Sequence, residues 1–357
     1  MRLASVASEA WRNVTSGTAQ ALQLAVLLGA LTAAVVGVDL ASIAAISARA
    51  VAFHDVGSDI LVIEAPGLIS SRACDSLNGT PGVIAGALRP ATQNLVARAL
   101  PSSSIPTFEI TAGLTPVLLD GAAAPPGLLA SASLAKALGL SAGGTLESRT
   151  GVATVAAVYD YPDDGRRADF EFAVMLPVVS DGRFDECWAR SRASSDDLAP
   201  LLLSTVIPQA GGQTDPPKIA QLNGSLGQRF DGAAQFADRP TRYLPVMGAL
   251  LAFIIFFVAT RLRRVELAAA RHSGVAPHEQ WGTVALESLV PVLFAPILTA
   301  PAVAWFVVNA PETDVGRYLI LAAGYSALLG LFALLGLSTA VLSIRERDLF
   351  AHFKDRR

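Results

Sequence analysis

Ser133 and Lys136 are spaced as in S-x-x-K, the motif in which a lysine assists a serine nucleophile in penicillin-binding enzymes. Neither S-D-N nor K-T-G accompanies it, and the surrounding residues 126–141 predict an ordinary amphipathic helix. The chain also lacks a G-x-x-x-x-G-K-[ST] loop, so it cannot by itself hydrolyse nucleotide through a P-loop. We therefore expect that this chain is not an enzyme and that it has no catalytic residues.

Histidine and cysteine offer little further chemistry. Of His54, His272, His278 and His352, only His54 lies in the long polar segment 48–240. This excludes a histidine-rich metal site there and leaves little for a Ser-His-Asp triad, so we expect no metal and no cofactor. Cys74 and Cys187 are the only cysteines and share that segment, which predicts a disulfide in an oxidising compartment. The alternative is two separate buried thiols.

Composition indicates a membrane protein. Hydrophobic residues make up 52% of the chain and charged residues 16%, against about 25% charged in ordinary soluble domains. Four apolar runs are long enough to span a bilayer core of about 30 Å, and we place them at residues 20–47, 241–260, 282–309 and 317–344. The net charge of −3 gives no reason to expect nucleic acid as a partner. Segment 48–240 between the first two spans is large enough to fold as a domain.

Lysine and arginine near the span ends set the orientation. Basic residues concentrate in segments 1–19, 261–281 and 345–357, whereas the loop at 309–317 has one basic and two acidic residues. We therefore expect a multi-pass protein of a bacterial cell membrane, with both termini cytoplasmic and domain 48–240 outside. The basic residues are Arg2, Arg12, Arg261, Arg263, Arg264, Arg271, Arg345, Arg347, Lys354, Arg356 and Arg357.

Three cytoplasmic pieces follow from that orientation. Residues 1–19 predict an amphipathic helix on the inner membrane surface, with Trp11 as an interfacial anchor. Residues 261–281 predict a basic, amphipathic helix that turns at Gly274 and Pro277, and residues 345–357 form a tail. A helix held at the cytoplasmic face between two spans is suited to being pushed by a soluble partner.

The spans contain two further features. Small residues recur at i, i+4 spacing along the first span and predict a face for close helix packing or dimerisation. Chance runs of alanine are the alternative, because the composition is rich in alanine. The third span contains Glu287 near its inner end, for which we favour a structural role beside the loop over a role in transport; Asp39 is interpreted in the same way. The small residues are Ala25, Gly29, Ala33, Gly37 and Ala41.

The outward segment alternates strand-like and helix-like pieces, which predicts an α+β domain. Segment 160–169 is interpreted as an exposed charged loop. Predicted strands cover 60–64, 82–89, 145–149, 152–159 and 170–179; predicted helices cover 71–77 and 126–141; shorter pieces at 196–200 and 204–208 precede a closing strand and helix within 218–230.

One span, a large outward domain and three clustered spans resemble the layout of the MacB/FtsX-like (type VII) ABC transporter permeases. The loop from Arg263 is similar to the family segment R-x-x-E-[IL]-x-x-x-[RK]-x-x-G. Residues 9–14 resemble the helix that precedes the first span, without its usual basic residues beside the membrane, and residues 127–160 are similar to the MacB-type periplasmic core. The residues that match the segment are Arg263, Glu266, Leu267, Arg271 and Gly274, and Arg264 between them is also expected to contribute to coupling.

The resemblance implies a permease subunit driven by a separate cytoplasmic ABC ATPase, which would bind the ATP and dock on those loop residues. It also implies a homodimer, or a pair with a related permease, embedded in membrane lipid. Such a machine would transmit force to the outward domain and export lipoprotein, peptide or amphiphilic drug. The alternative is a non-transporting, FtsX-like regulator of a cell-wall hydrolase or an antimicrobial-peptide sensor.

Overall fold

The structure is a computed structural model that describes residues 3–191, 198–208 and 216–344. The chain divides into two compact units, a helical unit of Met1–Ala48 with Ala233–Arg357 and a sheet unit of Arg49–Gly232. Part of the predicted piece at 196–200, the predicted tail 345–357 with its five basic residues, and Arg2 lie outside the described residues.

Eleven α-helices occur in the described residues. They are α1 Leu3–Thr15, α2 Ala21–Asp55, α3 Ser71–Ser76, α4 Leu114–Leu118, α5 Ala132–Leu138, α6 Leu198–Leu203, α7 Gly232–Ala237, α8 Leu244–Leu262, α9 Arg264–His272, α10 Pro277–Val308 and α11 Glu312–Ser343.

Among the described residues, four helical segments are long and apolar enough to cross a membrane. They overlap the four predicted spans and are Ala21–Asp55, Gly232–Leu262, Pro277–Val308 and Asp314–Ser343. The first continues past the predicted end at residue 47. The third begins earlier than predicted because Pro277 occupies the first turn and the Glu279 carboxylate accepts a hydrogen bond from the Ala276 N–H at 3.2 Å. The predicted loop segment 261–281 therefore includes the first turn of α10.

The sheet unit contains a nine-stranded mixed sheet, in the order β5-β6-β4-β7-β3-β2-β8-β1-β9. Strands β3 and β7 pair in parallel, as do β4 and β6, and the other neighbours are antiparallel. The α+β prediction for this segment therefore holds at the level of a mixed sheet with short helices. The strands are β1 Ile60–Ser70, β2 Val83–Pro90, β3 Thr107–Thr111, β4 Leu128–Ser131, β5 Thr145–Ser148, β6 Gly151–Tyr159, β7 Val174–Val178, β8 Arg183–Ser191 and β9 Lys218–Gln221.

The predicted disulfide is present in the sheet unit. Cys74 on α3 and Cys187 on β8 are bonded, with their Cα atoms 5.9 Å apart, and both side chains are fully buried. They lie in an apolar cluster with Ile63, Phe184 and Leu202. The disulfide therefore links the short helix after β1 to an interior strand of the sheet.

The predicted exposed loop 160–169 is in part an error. Tyr161 is only 5% exposed, because its ring packs edge-on against Phe170 with the centroids 5.8 Å apart. Arg167 pairs with Glu64 at 2.5 Å and with Glu186 at 2.9 Å. Tyr161 and Arg167 are thus used in contacts inside the sheet unit, which a hydropathy pattern does not reveal, whereas Asp160, Asp163 and Asp169 are exposed as predicted.

Helices α8 and α11 pack closely, and two glycines of α11 allow this packing to be tested with a variant and a matched control. A Cβ atom added at Gly336 would lie 2.2 Å from the Phe253 carbonyl oxygen, whereas one added at Gly324 would meet nothing within 4 Å. We expect Gly336→Ala to destabilise the helical unit by about 1–3 kcal/mol, because α8 must move away. Gly324→Ala is expected to be neutral. Thermal unfolding of both variants in lipid nanodiscs checks this, and equal midpoints would contradict the packing described.

Candidate functional site

The segment between the second and third long helices forms a short helix, α9, between two turns. Arg263 separates α8 from α9, and Gly274 at φ +96° turns the chain toward α10. A left-handed backbone conformation strongly favours glycine. Leu267 and Ala268 on α9 are buried in the same apolar cluster as residues of α8, α10 and α11. One face of α9 is thus fixed to the helical unit and the other is open.

Arg263 anchors the start of α9. Its guanidinium pairs with the Glu287 carboxylate of α10 at 2.5 Å and with Glu266 at 2.8 Å. Glu287 is only 3% exposed and also accepts a hydrogen bond from Asn13 of α1 at 2.6 Å. Burial alone would lower the pKa of Arg263, but the bonds to Glu266 and Glu287 outweigh it and raise the pKa, so this side chain stays charged. Glu287 therefore contacts both the loop and α1, and its structural role stays a prediction.

Arg271 anchors the other end of α9. Its guanidinium donates to the Gln280 side-chain oxygen at 2.7 Å, to the Val341 carbonyl at 3.0 Å and to the Ile344 carbonyl. Gln280, itself buried, donates back to the Leu267 carbonyl at 2.7 Å. The carbonyl groups at the end of α11 thereby accept hydrogen bonds from a cation. A positive charge at this end also interacts favourably with the helix dipole. Both ends of α9 are therefore held by buried charged or polar contacts.

The six residues selected from the sequence thus divide into two groups. Arg263, Leu267 and Arg271 make contacts within the helical unit, and Glu266 is half-exposed but paired with Arg263. Arg264 forms no ion pair within residues 3–191, 198–208 and 216–344, and Gly274 lies at an exposed turn. Three further side chains of segment 261–281 are exposed, although the sequence analysis does not name them as coupling residues: His272, His278 and Trp281.

The predicted stripe of small residues on α2 also divides. Ala25 and Gly29 are buried, and a Cβ atom added at Gly29 would lie 2.5 Å from the Leu298 side chain of α10. Ala33 and Gly37 are partly exposed, and nothing lies within 4 Å of a Cβ atom added at Gly37. One end of the stripe therefore packs within the chain, and its use in a dimer stays a prediction.

Asp39, the acidic residue of the first span, is fully buried and fully paired. Its carboxylate accepts from Arg239 Nε at 3.0 Å and from the Tyr325 hydroxyl at 2.6 Å. The Arg239 guanidinium in turn lies over the Phe236 ring, 3.9 Å from its centroid. These contacts tie α2, α11 and the segment before α8 together.

No family model matches the chain, and no curated protein matches it. Among solved structures, this chain is similar to the periplasmic region of MacB from Actinobacillus actinomycetemcomitans, with 11% sequence identity and a TM-score of 0.31. That similarity covers 42% of this chain and 82% of that one.

Proposed function

We propose that the chain is the permease subunit of an ABC transporter of the MacB/FtsX-like type and that α9 is the docking helix for a separate cytoplasmic ATPase. In this proposal the four long helices span a bacterial cell membrane, both termini are cytoplasmic, and the sheet unit is outside. The chain acts as a homodimer or with a related permease. ATP binds to the partner, so the chain itself needs no cofactor.

The anchoring of α9 at both ends is the observation that carries this proposal. Arg263 is bonded to Glu287 of α10, and Arg271 is bonded to the end of α11. A force applied to the open face of α9 is therefore passed to two long helices rather than absorbed by a flexible loop. This arrangement suits mechanotransmission, in which closure of the ATPase alters the outward domain to export lipoprotein, peptide or amphiphilic drug.

Charge reversal at Arg264 tests the proposal. Arg264 belongs to α9 but takes no part in the described ion pairs, so Arg264→Glu should leave the fold intact. We expect this variant to lose stimulation of the co-purified ATPase by about tenfold or more, since a like-charge contact replaces an attractive one at the docking surface. Arg264→Lys should retain most of the stimulation.

The matched control is Arg72→Glu, a charge reversal at an exposed residue of the sheet unit, which should leave stimulation unchanged. ATP hydrolysis by the reconstituted complex in nanodiscs is the measurement. Unaltered stimulation in Arg264→Glu, with the complex still assembled, would contradict docking through this face of α9. Normal ATPase coupling without movement of any lipoprotein, peptide or drug would favour the regulatory alternative over export.

A further inference from the structure

The sheet unit contains a cavity of about 450 Å³, within the range of small-molecule binding sites. Its lining combines buried apolar side chains with charged ones at the surface. Ile60, Trp188 and Leu222 form part of the buried lining, and Asp55 and Asp160 are exposed. All the residues that line it belong to the sheet unit.

The positive charges that line the cavity are already engaged. Arg190 donates to Asp120 at 2.7 Å, and His54 contacts the same carboxylate through Nε2 at 2.7 Å. Arg166 pairs with Asp164 at 3.1 Å and donates to backbone carbonyls at the end of α2. Both guanidinium groups therefore already have a carboxylate partner, although Nε of Arg190 makes no hydrogen bond with the described residues.

The negative charges are in excess. The carboxylates of Asp55 and Asp160 form no ion pair with any residue in the part of the chain that the structure describes. Asp120 and Asp164 are neutralised by the cations named above, so the uncompensated charge of the lining is negative. A cation entering the cavity would be attracted to the two free carboxylates.

A buried hydroxyl also lacks a partner. Tyr161 lines the cavity and is only 5% exposed, yet its hydroxyl group makes no hydrogen bond with the described residues. Burial without a hydrogen bond is unfavourable for a polar group, and a bound polar atom would remove that cost. Trp188 adds an aromatic surface, which favours organic cations over inorganic ones.

We propose that this cavity binds a small amphipathic organic cation. Asp55 and Asp160 attract and hold its ammonium group, while Ile60, Trp188 and Leu222 cover its hydrocarbon part. The hydroxyl of Tyr161 gains a hydrogen bond to a polar atom of the ligand. Such binding needs no ATPase and would occur whether the chain exports its ligand or senses it.

Three probes that share an indole ring distinguish the contribution of ligand charge to binding from that of ligand shape. Tryptamine is a cation, tryptophol is neutral and indole-3-acetate is an anion. The full chain in phosphatidylcholine nanodiscs would be titrated calorimetrically with each probe, with empty nanodiscs subtracted. We expect tryptamine to bind about tenfold more tightly than tryptophol, and indole-3-acetate more weakly than both. Equal affinities, or no tryptamine binding up to about 10 mM, would overturn the proposal.

Substitutions locate the binding. The double variant Asp55→Asn with Asp160→Asn should weaken tryptamine about tenfold and leave tryptophol unchanged. Tyr161→Phe should weaken tryptamine several-fold, whereas Glu171→Gln, at an exposed carboxyl outside the lining, should change nothing. Thermal unfolding midpoints equal to that of the original chain show that each variant is folded. Unchanged tryptamine binding in both cavity variants would overturn the assignment to this cavity.

Discussion

Replacement of both disulfide cysteines, Cys74→Ala with Cys187→Ala, is expected to lower the free energy of unfolding of the sheet unit by about 4 kcal/mol. The bond joins residues separated by 113 positions, and cross-linking so long a segment removes much of the conformational entropy of the unfolded chain. The loss should appear as a fall of about 10 °C in the unfolding temperature, given the size of the unit.

Calorimetry or circular dichroism on nanodisc samples would measure this shift. Reduction of the original chain under partly denaturing conditions provides the control, because it opens the same bond without changing the sequence. The two treatments should destabilise the sheet unit similarly. An unfolding temperature that is unchanged in the double variant would show that the bond adds little to stability.

Removal of the carboxylate in Glu287→Ala is expected to destabilise the helical unit by about 3 kcal/mol or more. It leaves the buried guanidinium of Arg263 with only the half-exposed Glu266 as an ionic partner, and it removes the acceptor for Asn13. Since its partners raise the pKa of Arg263, the guanidinium stays charged, and breaking one side of a buried pair is costly.

The double variant Arg263→Met with Glu287→Leu distinguishes the effect of an unpaired charge from the effect of lost side-chain volume. Replacing a whole buried ion pair by apolar side chains of similar volume is often neutral, so most of the lost stability should return. Thermal unfolding of both variants in nanodiscs provides the comparison. A double variant as unstable as Glu287→Ala would mean that packing, and not the uncompensated charge, is responsible.

The long helices were predictable from the sequence because hydropathy alone specifies them. An uncharged run such as residues 243–260 has few alternatives to a buried or membrane-spanning helix. The disulfide followed from the presence of only two cysteines. Strands with near-continuous apolar or alternating patterns, such as β2, β5 and β6, are predicted within one residue of their observed bounds, whereas β1 continues six residues past its predicted end at residue 64.

Strand β8 was missed although it is an interior strand of the sheet and carries Cys187. Its sequence includes Arg183, Asp185, Glu186 and Arg190, which suggests a surface loop. The structure accommodates two of these charges through distant partners: Glu186 pairs with Arg167 and Arg190 with Asp59 and Asp120. No local pattern reports such pairing. Strands β3 and β4 were missed because they are short, and β4 runs directly into α5.

The candidate docking segment could be located from the sequence, but its two faces could not be separated. In the sequence, Arg263, Arg264 and Arg271 are three arginines of one basic segment, and nothing in the pattern distinguishes their roles. Only the contacts with Glu287, Gln280 and the end of α11 show that Arg263 and Arg271 stabilise the helical unit while Arg264 stays outside those contacts. Those partners are too far along the chain from Arg263 and Arg271 to be identified from the i, i+3 and i+4 spacing of a single helix.

Site-specific photocrosslinking tests the docking role of α9 most directly. A photoreactive amino acid at position 264, on α9, would be compared in native membranes with the same group at position 72, on α3. We predict that position 264 captures a P-loop ATPase, identified by mass spectrometry, and that position 72 does not. No ATPase at position 264, in a chain that is folded and abundant, would contradict the assignment of α9 as the docking helix.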